Sequence, residues 1–114
     1  MSERPFRFGL QVFGASTRTA WQDTARRAEA LGFATVLVPD HVASGLLAPM
    51  AALSTMAEAT SRIRVGTFVL NNDFRHPALL AREAAVLDAR FSTSTAARRF
   101  PQRRLWVIAR PGRR

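Results

Sequence analysis

An alternation of strand-like and helix-like segments is the feature that most constrains how this chain can fold. Strand-like runs begin near residues 6, 33 and 63, and each is followed by a polar loop and by apolar residues at helical spacing. Strands that alternate with helices about every 30 residues are joined by crossover connections and form a parallel sheet. The pattern predicts an α/β protein, and periodicity alone leaves a closed barrel and an open doubly wound sheet as alternatives.

The predicted strands cover residues 6–13, 33–38 and 63–70. The first alternates and is rich in aromatic residues, which is typical of a partly buried strand. The second is a nearly continuous apolar run, and such a run indicates a parallel strand covered on both faces.

Residues with known preferences for helix ends predict where the three helices begin and where the first one ends. Thr19 and Gln22 have the spacing of a capping box, so the first helix is expected to begin near Thr19, and Gly32 is expected to end it. Trp21, Ala25, Ala28 and Leu31 recur at helical spacing along it. Pro49 and Pro77 are expected to open the second and third helices, because the first helical turn does not need their N–H.

The positive charge is concentrated in the last quarter of the chain. The net charge is +9, yet residues 1–88 carry nine arginines against eight acidic residues, and residues 89–114 carry eight arginines and no acid. We therefore divide the chain into a partial domain, residues 1–88, and an irregular arginine-rich tail, residues 89–114. Within the tail, the apolar run 105–109 could pair as a fourth strand.

The composition limits which cellular compartment and which kinds of metal site are expected. The absence of cysteine excludes disulfides and thiolate metal sites. No apolar run approaches the ~20 residues of a membrane helix, and the N-terminus lacks the apolar core of a signal peptide. The expected compartment is the cytoplasm, with no membrane partner.

Asp40 and His41 form the most reactive pair, directly after the second predicted strand. Ligands of parallel α/β proteins bind at the C-terminal ends of strands, and an imidazole can accept a proton from a substrate alcohol near neutral pH. The alternative is that Asp40 caps the loop and His41 packs beside it. His76 is expected to be a helix cap or loop residue. No metal site is expected, since no second histidine or carboxylate lies at ligand spacing from it.

The third strand and the loop after it are less informative. The glycine among bulky residues in 66–70 indicates either a bulge with close approach of a ligand or an ordinary buried strand, and the ordinary strand is favoured. Asn71, Asn72, Asp73 and Arg75 could contact phosphate, although a solvated loop is the simpler interpretation. The glycines form neither a dinucleotide-binding fingerprint nor a P-loop.

Taken together, these segments resemble the luciferase-like monooxygenase superfamily, in particular its coenzyme F-420-dependent oxidoreductases. The similar segments are residues 6–11, 21–33, 38–41, 64–77 and 79–88, and the string 65–77 is the most specific. The resemblance implies an oxidoreductase that performs hydride transfer or monooxygenation on a small-molecule substrate. The implied cofactor is F-420, with reduced FMN as the alternative.

The resemblance also implies a fold and a site. The fold would be the first three β/α units of a (β/α)8 TIM barrel. In the family the cofactor ring rests on a bulge of the third strand that contains a non-prolyl cis peptide, which would here join Phe68 and Val69. His41 would be the catalytic base, and Asp40, Phe68 and Val69 would belong to the cofactor site.

The sequence departs from the family pattern after Asp88, where relatives continue into a glycine-rich fourth strand. Here Ala89-Arg90-Phe91 leads into the arginine-rich tail, which indicates a frameshift or truncation. An incomplete barrel is expected to self-associate through open sheet edges and to lack activity. Two alternatives remain: a small basic protein that binds nucleic acid through its tail, and a fragment that completes its barrel with another polypeptide.

Overall fold

Parallel strands form a single sheet in the computed structural model, which describes residues 5–91 and 105–109. The elements in chain order are β1 (Gly9–Gln11), α1 (Arg18–Ala30), β2 (Thr35–Val38), α2 (Pro49–Ala59), β3 (Arg64–Leu70), a 3-10 turn (Asn72–Phe74), α3 (Pro77–Phe91) and β4 (Leu105–Ala109). The strand order is β1-β2-β3-β4, and each neighbouring pair is parallel. The predicted α/β class with three successive β/α units is confirmed.

The first strand is shorter than the predicted 6–13, and its partner in the described sheet, β2, has four residues. β1 pairs with β2 from Gly9 opposite Thr35 to Gln11 opposite Leu37. One backbone bond beyond each end, from Ala34 N to Phe8 O at 2.8 Å and from Val12 N to Leu37 O at 2.9 Å, extends the contact slightly. As an edge strand of the described sheet, β1 pairs on one side only, and its ladder stops at Leu37, one residue before β2 ends.

The first helix begins earlier than the predicted capping box. Thr17 is the N-cap, and its side-chain oxygen accepts a hydrogen bond from Ala20 N at 3.1 Å. Thr19 therefore lies inside the first turn, and the predicted box is wrong. Gln22 instead donates from Nε2 to Thr55 O at 3.3 Å, which joins α1 to α2.

The other helix ends follow the expected chemistry. Gly32 has φ +85° and follows the C-cap residue Leu31, so it occupies a left-handed position suited to glycine. Leu31 itself is 73% exposed, so of the residues at helical spacing only Trp21, Ala25 and Ala28 are buried. Pro49 and Pro77 are the first residues of α2 and α3, as predicted.

Regular structure extends into the segment that was predicted to be an irregular tail. α3 continues past the predicted boundary at Asp88 to Phe91. Leu105–Ala109 is β4, and it pairs in parallel with β3 from Leu105 opposite Val65 onward, so the apolar run does form a strand. The rest of the predicted tail, residues 92–104 and 110–114, lies outside the described residues.

The hydrophobic core lies between one face of the sheet and the helices. Val36 and Val38 of β2 and Val65 of β3 pack against apolar side chains of α1, α2 and α3. The helical members of this core are Trp21, Ala25, Ala28, Ala52, Leu53, Met56, Ala57 and Leu87. Trp21 also donates from Nε1 to Ala52 O at 3.0 Å, so its buried N–H has a partner.

The other face of the sheet carries the alternate strand positions, including Gln11, Leu37 and Phe68. Phe8, Phe13 and Phe68 are 71%, 59% and 47% exposed. Among the described residues, none of the helices combines the length and apolar character needed to cross a membrane.

Candidate active site at the strand ends

The C-terminal ends of β1, β2 and β3 lie side by side, because neighbouring strands are parallel. The loops that leave these ends carry the polar residues singled out from the sequence. This edge is where ligands bind in parallel α/β folds.

Asp40 connects two of these loops. Its side chain is 5% exposed, and Oδ2 accepts a hydrogen bond from Asn71 N at 2.9 Å. The same oxygen forms an ion pair with Nη1 of Arg75, whose side chain is 20% exposed. The loop after β2 is thus joined to the loop after β3 through one carboxylate oxygen.

His41 follows Asp40 directly and differs from it in exposure. Asp40 is buried, whereas His41 is exposed at the same edge of the sheet. The pair identified from the sequence therefore divides into an internal carboxylate and an accessible imidazole. This arrangement makes only His41 available to a bound molecule.

The end of β3 is irregular. The peptide bond between Phe68 and Val69 is cis, at the position that the resemblance indicates. The pairing with β4 shifts there, since Phe68 lies opposite Ile108 and Leu70 lies opposite Ala109, and Val69 has no opposite residue. The ordinary strand favoured from the sequence is therefore wrong at this point.

Gln11 reaches from β1 to this irregular segment. Its Nε2 donates to Phe68 O at 3.1 Å across the face of β2. Gln11 lies opposite Leu37 of the intervening strand β2, and Leu37 lies opposite Gly66 of β3. The end of β1 and the end of β3 are thereby connected on the face opposite the helices.

The loops after β1 and β2 also touch. A Cβ added to Gly14 would lie 2.6 Å from Gly45 O, a distance that side chains essentially never adopt. Gly45 itself has φ +82°. Glycine at both positions lets the loop that follows His41 lie against the end of β1.

The remaining polar residues have structural roles or remain exposed. His76 Nδ1 accepts a hydrogen bond from Ala78 N at 3.2 Å, so His76 caps α3. Asn71 Oδ1 accepts from Asp73 N at 3.0 Å within the loop. Within residues 5–91 and 105–109, no group of three or more His, Cys, Asp or Glu could hold a metal ion.

Sequence reasoning missed the roles of Gln11 and Arg75. Arg75 was interpreted as part of a solvated loop, but its guanidinium is largely buried against Asp40. No local pattern indicates either contact, because the partners are 57 and 35 residues away in the chain. The placement of both residues at strand ends is the one signal that could have suggested them.

A separate groove of about 480 Å³ lies between α2 and α3. Its walls include Met50, Ser54, Leu79 and Val86, with Arg82 and Glu83 beside them. None of the strand-end residues described above lines it, so it is not part of the candidate site.

The sequence model of the luciferase-like monooxygenase family matches residues 5–91. The chain belongs to this family. No curated protein matches the sequence of the chain at a significant level. Membership confirms the predicted resemblance and makes the chain part of a family of oxidoreductases and monooxygenases.

Solved structures of luciferase-like proteins share the fold. The coenzyme F-420-dependent tetrahydromethanopterin reductase of Methanopyrus kandleri has a TM-score of 0.73 and 26% identity over 94% of this chain and 27% of its own. The monooxygenase RslO1 of Streptomyces bottropensis has a TM-score of 0.68 and 26% identity, over 91% of this chain and 32% of its own. The partial (β/α)8-barrel fold predicted from the resemblance is thereby confirmed.

A third structure shares the fold at lower identity. It is the oxygenating constituent of 3,6-diketocamphane monooxygenase from Pseudomonas putida, in complex with FMN. Its TM-score is 0.69 at 18% identity, over 95% of this chain and 30% of its own. The chain spans about a third or less of the length of each of these structures.

Proposed function

We propose that the described residues form the ring-binding side of the active site of an F-420- or FMN-dependent oxidoreductase. The observation that carries the proposal is the exposed His41 beside the irregular end of β3, in a chain that belongs to the luciferase-like family. The reductase and the FMN-bound monooxygenase with the same fold support these two cofactors. The reaction is hydride transfer or monooxygenation of a small-molecule substrate.

The residues at the strand ends fit a flat heterocyclic ring. Phe68 offers a half-exposed apolar side chain, and Val69 beside it is partly buried. Gln11 contributes a carboxamide at the same face, anchored on Phe68 O. Apolar surface with a few fixed polar groups is typical of cofactor sites. Phe68 and Val69 would hold the ring, and Asp40 would shape the pocket through Asn71 and Arg75.

His41 is the proposed catalytic base. When bound, F-420 or FMN supplies the hydride or oxygen chemistry, while the protein orients the reactants and handles protons. An exposed imidazole next to a buried carboxylate can take a proton from a substrate hydroxyl onto a ring nitrogen. Because Asn71 and Arg75 bind the carboxylate of Asp40, the residue directly before it, His41 is held at the strand end.

Fluorescence titration of the purified chain with F-420 and with FMN tests the proposal. At least one cofactor is expected to bind, and Phe68→Ala is expected to weaken binding at least fivefold because it removes apolar surface under the ring. Phe8→Ala is the matched control. Phe8 is also exposed, but it precedes β1 and so lies at the end of the sheet where the strands begin, away from the candidate site. Equal effects of the two variants, or binding of neither cofactor, would contradict the proposal.

We further propose that this 114-residue chain does not turn over substrate alone, because it spans 27% to 32% of the matched structures. Turnover by the purified chain would refute this. Sequencing the DNA after codon 88 tests the frameshift itself. Steeply salt-dependent DNA binding without cofactor binding would instead favour the nucleic-acid alternative, which the comparisons do not support.

A further inference from the structure

We infer that Arg75 is a positioning residue, which fixes the spacing between His41 and the end of β3 through the carboxylate of Asp40. The inference rests on the proposed function, because the site that Arg75 positions is the proposed cofactor site. Arg75 does not need to touch cofactor or substrate for this role. Its partner Asp40 is buried and directly precedes the accessible His41.

The geometry concentrates two contacts on one atom. Asp40 Oδ2 receives both the backbone N–H of Asn71 and the guanidinium of Arg75. Asp40 immediately precedes His41, and Asn71 comes two residues after Val69. The carboxylate therefore links the loop that carries the proposed base to the strand end that carries the proposed ring support.

Stability alone is a weak reason for such a pair. A buried ion pair contributes little net stability relative to apolar side chains of the same size, because both charges lose their hydration. The ion pair does fix the relative orientation of the two side chains, since charge-assisted hydrogen bonds are short and oriented. Arginine suits this role better than lysine, because its planar guanidinium fixes the angle as well as the distance.

A distance measurement tests the positioning directly and needs no cofactor. The chain has no cysteine, so Val42→Cys and Phe74→Cys can carry one nitroxide label on each loop. Both side chains are exposed, at 87% and 49%. We expect a narrow distance distribution by electron paramagnetic resonance, and Arg75→Met is expected to broaden it at least twofold, with Arg75→Lys in between.

Arg26→Met is the matched control for this measurement. Arg26 forms an exposed ion pair with Asp23 on α1, with Nη1 and Oδ1 2.7 Å apart, away from both labelled loops. It is expected to leave the distribution unchanged. An unchanged distribution in Arg75→Met would overturn the inference, as would equal broadening in the control.

Cofactor titration then separates positioning from general stability. Arg75→Met leaves a buried carboxylate without its counter-ion, so both the melting temperature and cofactor affinity are expected to fall. In the double variant Asp40→Asn/Arg75→Met no unpaired charge remains. The melting temperature is expected to recover, while the cofactor Kd stays at least tenfold weaker than that of the unmodified chain.

The outcomes of the two experiments are distinguishable. Recovery of the Kd together with the melting temperature would show that Arg75 acts only on stability, which overturns the inference. If the unmodified chain binds neither F-420 nor FMN, the proposed function fails. The label distances still decide in that case whether Arg75 fixes the spacing of the two loops.

Discussion

Thr67 in the middle of β3 is fully buried, and its hydroxyl oxygen has no hydrogen-bond partner within the described part of the chain. Its register partner on β2 is Val38, on the face that packs against the helices. A buried hydroxyl without a partner costs roughly 1–3 kcal/mol. The residue is therefore a local departure from an otherwise apolar sheet face.

Thr67→Val is expected to raise the free energy of unfolding by about 1 kcal/mol, because it removes the unsatisfied oxygen and keeps the β-branched shape. Urea denaturation measures the change. Thr60→Val is the control, since Thr60 is also buried but donates from Oγ1 to Met56 O at 2.9 Å, and it should destabilise the chain. Equal destabilisation by both variants would mean that Thr67 has a partner after all.

Glu29 is a second residue with an unusual environment. Its Oε2 accepts backbone hydrogen bonds from Ser61, Arg62 and Ile63 at 3.0, 2.6 and 2.8 Å. Partial burial raises the pKa of the Glu29 carboxyl, but the amides of Ile63, Arg62 and Ser61 and the charge of Arg62 outweigh it, so the pKa lies below the ordinary value of 4.5. The charged form is therefore the one that folding stabilises.

The depressed pKa of Glu29 sets the direction of a pH dependence. The contribution of Glu29 is complete above pH 4.5 and is lost as the pH falls through the lower pKa of the folded state. Glu29→Gln is expected to lower the free energy of unfolding at pH 7 by about 1 kcal/mol, since solvent around this partly exposed carboxylate weakens its interactions. The gap between variant and unmodified chain should shrink in acid. A gap that stays constant with pH would contradict this assignment.

The control for Glu29 is Glu58→Gln. Glu58 forms an ion pair with Arg18 at 3.3 Å, with both side chains more than half exposed. Exposed pairs of this kind contribute about 0–1 kcal/mol. Denaturation curves at several pH values compare the two variants directly.

At the scale of elements, the start of α1 yields a further test. Thr17 caps the helix through its side-chain oxygen, whereas Thr19 lies within the first turn. Thr17→Ala is expected to cost about 1 kcal/mol, and Thr19→Ala less than about 0.5 kcal/mol. Thermal unfolding followed by circular dichroism measures both. A larger loss for Thr19→Ala would restore the capping box predicted from the sequence.

The ends of helices that depend on nearby residues could be predicted from the sequence. The ends of strands that depend on pairing with another strand could not. The prolines that open α2 and α3 and the glycine after α1 act within one helical turn, so their positions are readable from the sequence. The ends of β1 depend on its pairing with β2, which no local pattern in β1 encodes. The choice of Thr17 over Thr19 depends on where the loop after β1 turns.

The candidate site likewise has residues that could be predicted from the sequence and contacts that could not. Asp40 and His41 stand at a strand end, and the strand pattern alone was enough to single them out. No pattern near them indicates that Asp40 is buried and His41 exposed, and the residue that pairs with Asp40, Arg75, is 35 residues away. The contact of Gln11 with Phe68 spans 57 residues and crosses an intervening strand. Such contacts follow from the register of the sheet, which the sequence alone does not reveal.

For the whole molecule, the two faces of the sheet differ in how they are covered. The helices bury one face, Phe68 on the other face is exposed, and Phe8 and Phe13, which flank β1, are exposed as well. β1 and β4 form the edges of the described sheet. Exposed apolar side chains next to open strand edges favour association.

We expect the chain to self-associate, with a sedimentation coefficient that rises with protein concentration. Phe8→Lys is expected to weaken this association, because it places a charge beside an edge strand. Leu31→Lys is the control, since Leu31 is 73% exposed, much like Phe8, but lies at the end of α1. A coefficient independent of concentration, or equal effects of the two variants, would contradict the expectation.

The link between Asp40 and Arg75 also bears on the order of events during translation. A ribosome adds roughly 5–20 residues per second, so the 35 residues between the two partners take roughly 2–7 seconds to synthesise. During that interval the nascent chain carries a carboxylate whose counter-ion does not yet exist. Both contacts of the Asp40 carboxylate, with Asn71 and with Arg75, can form only after the third strand has been synthesised.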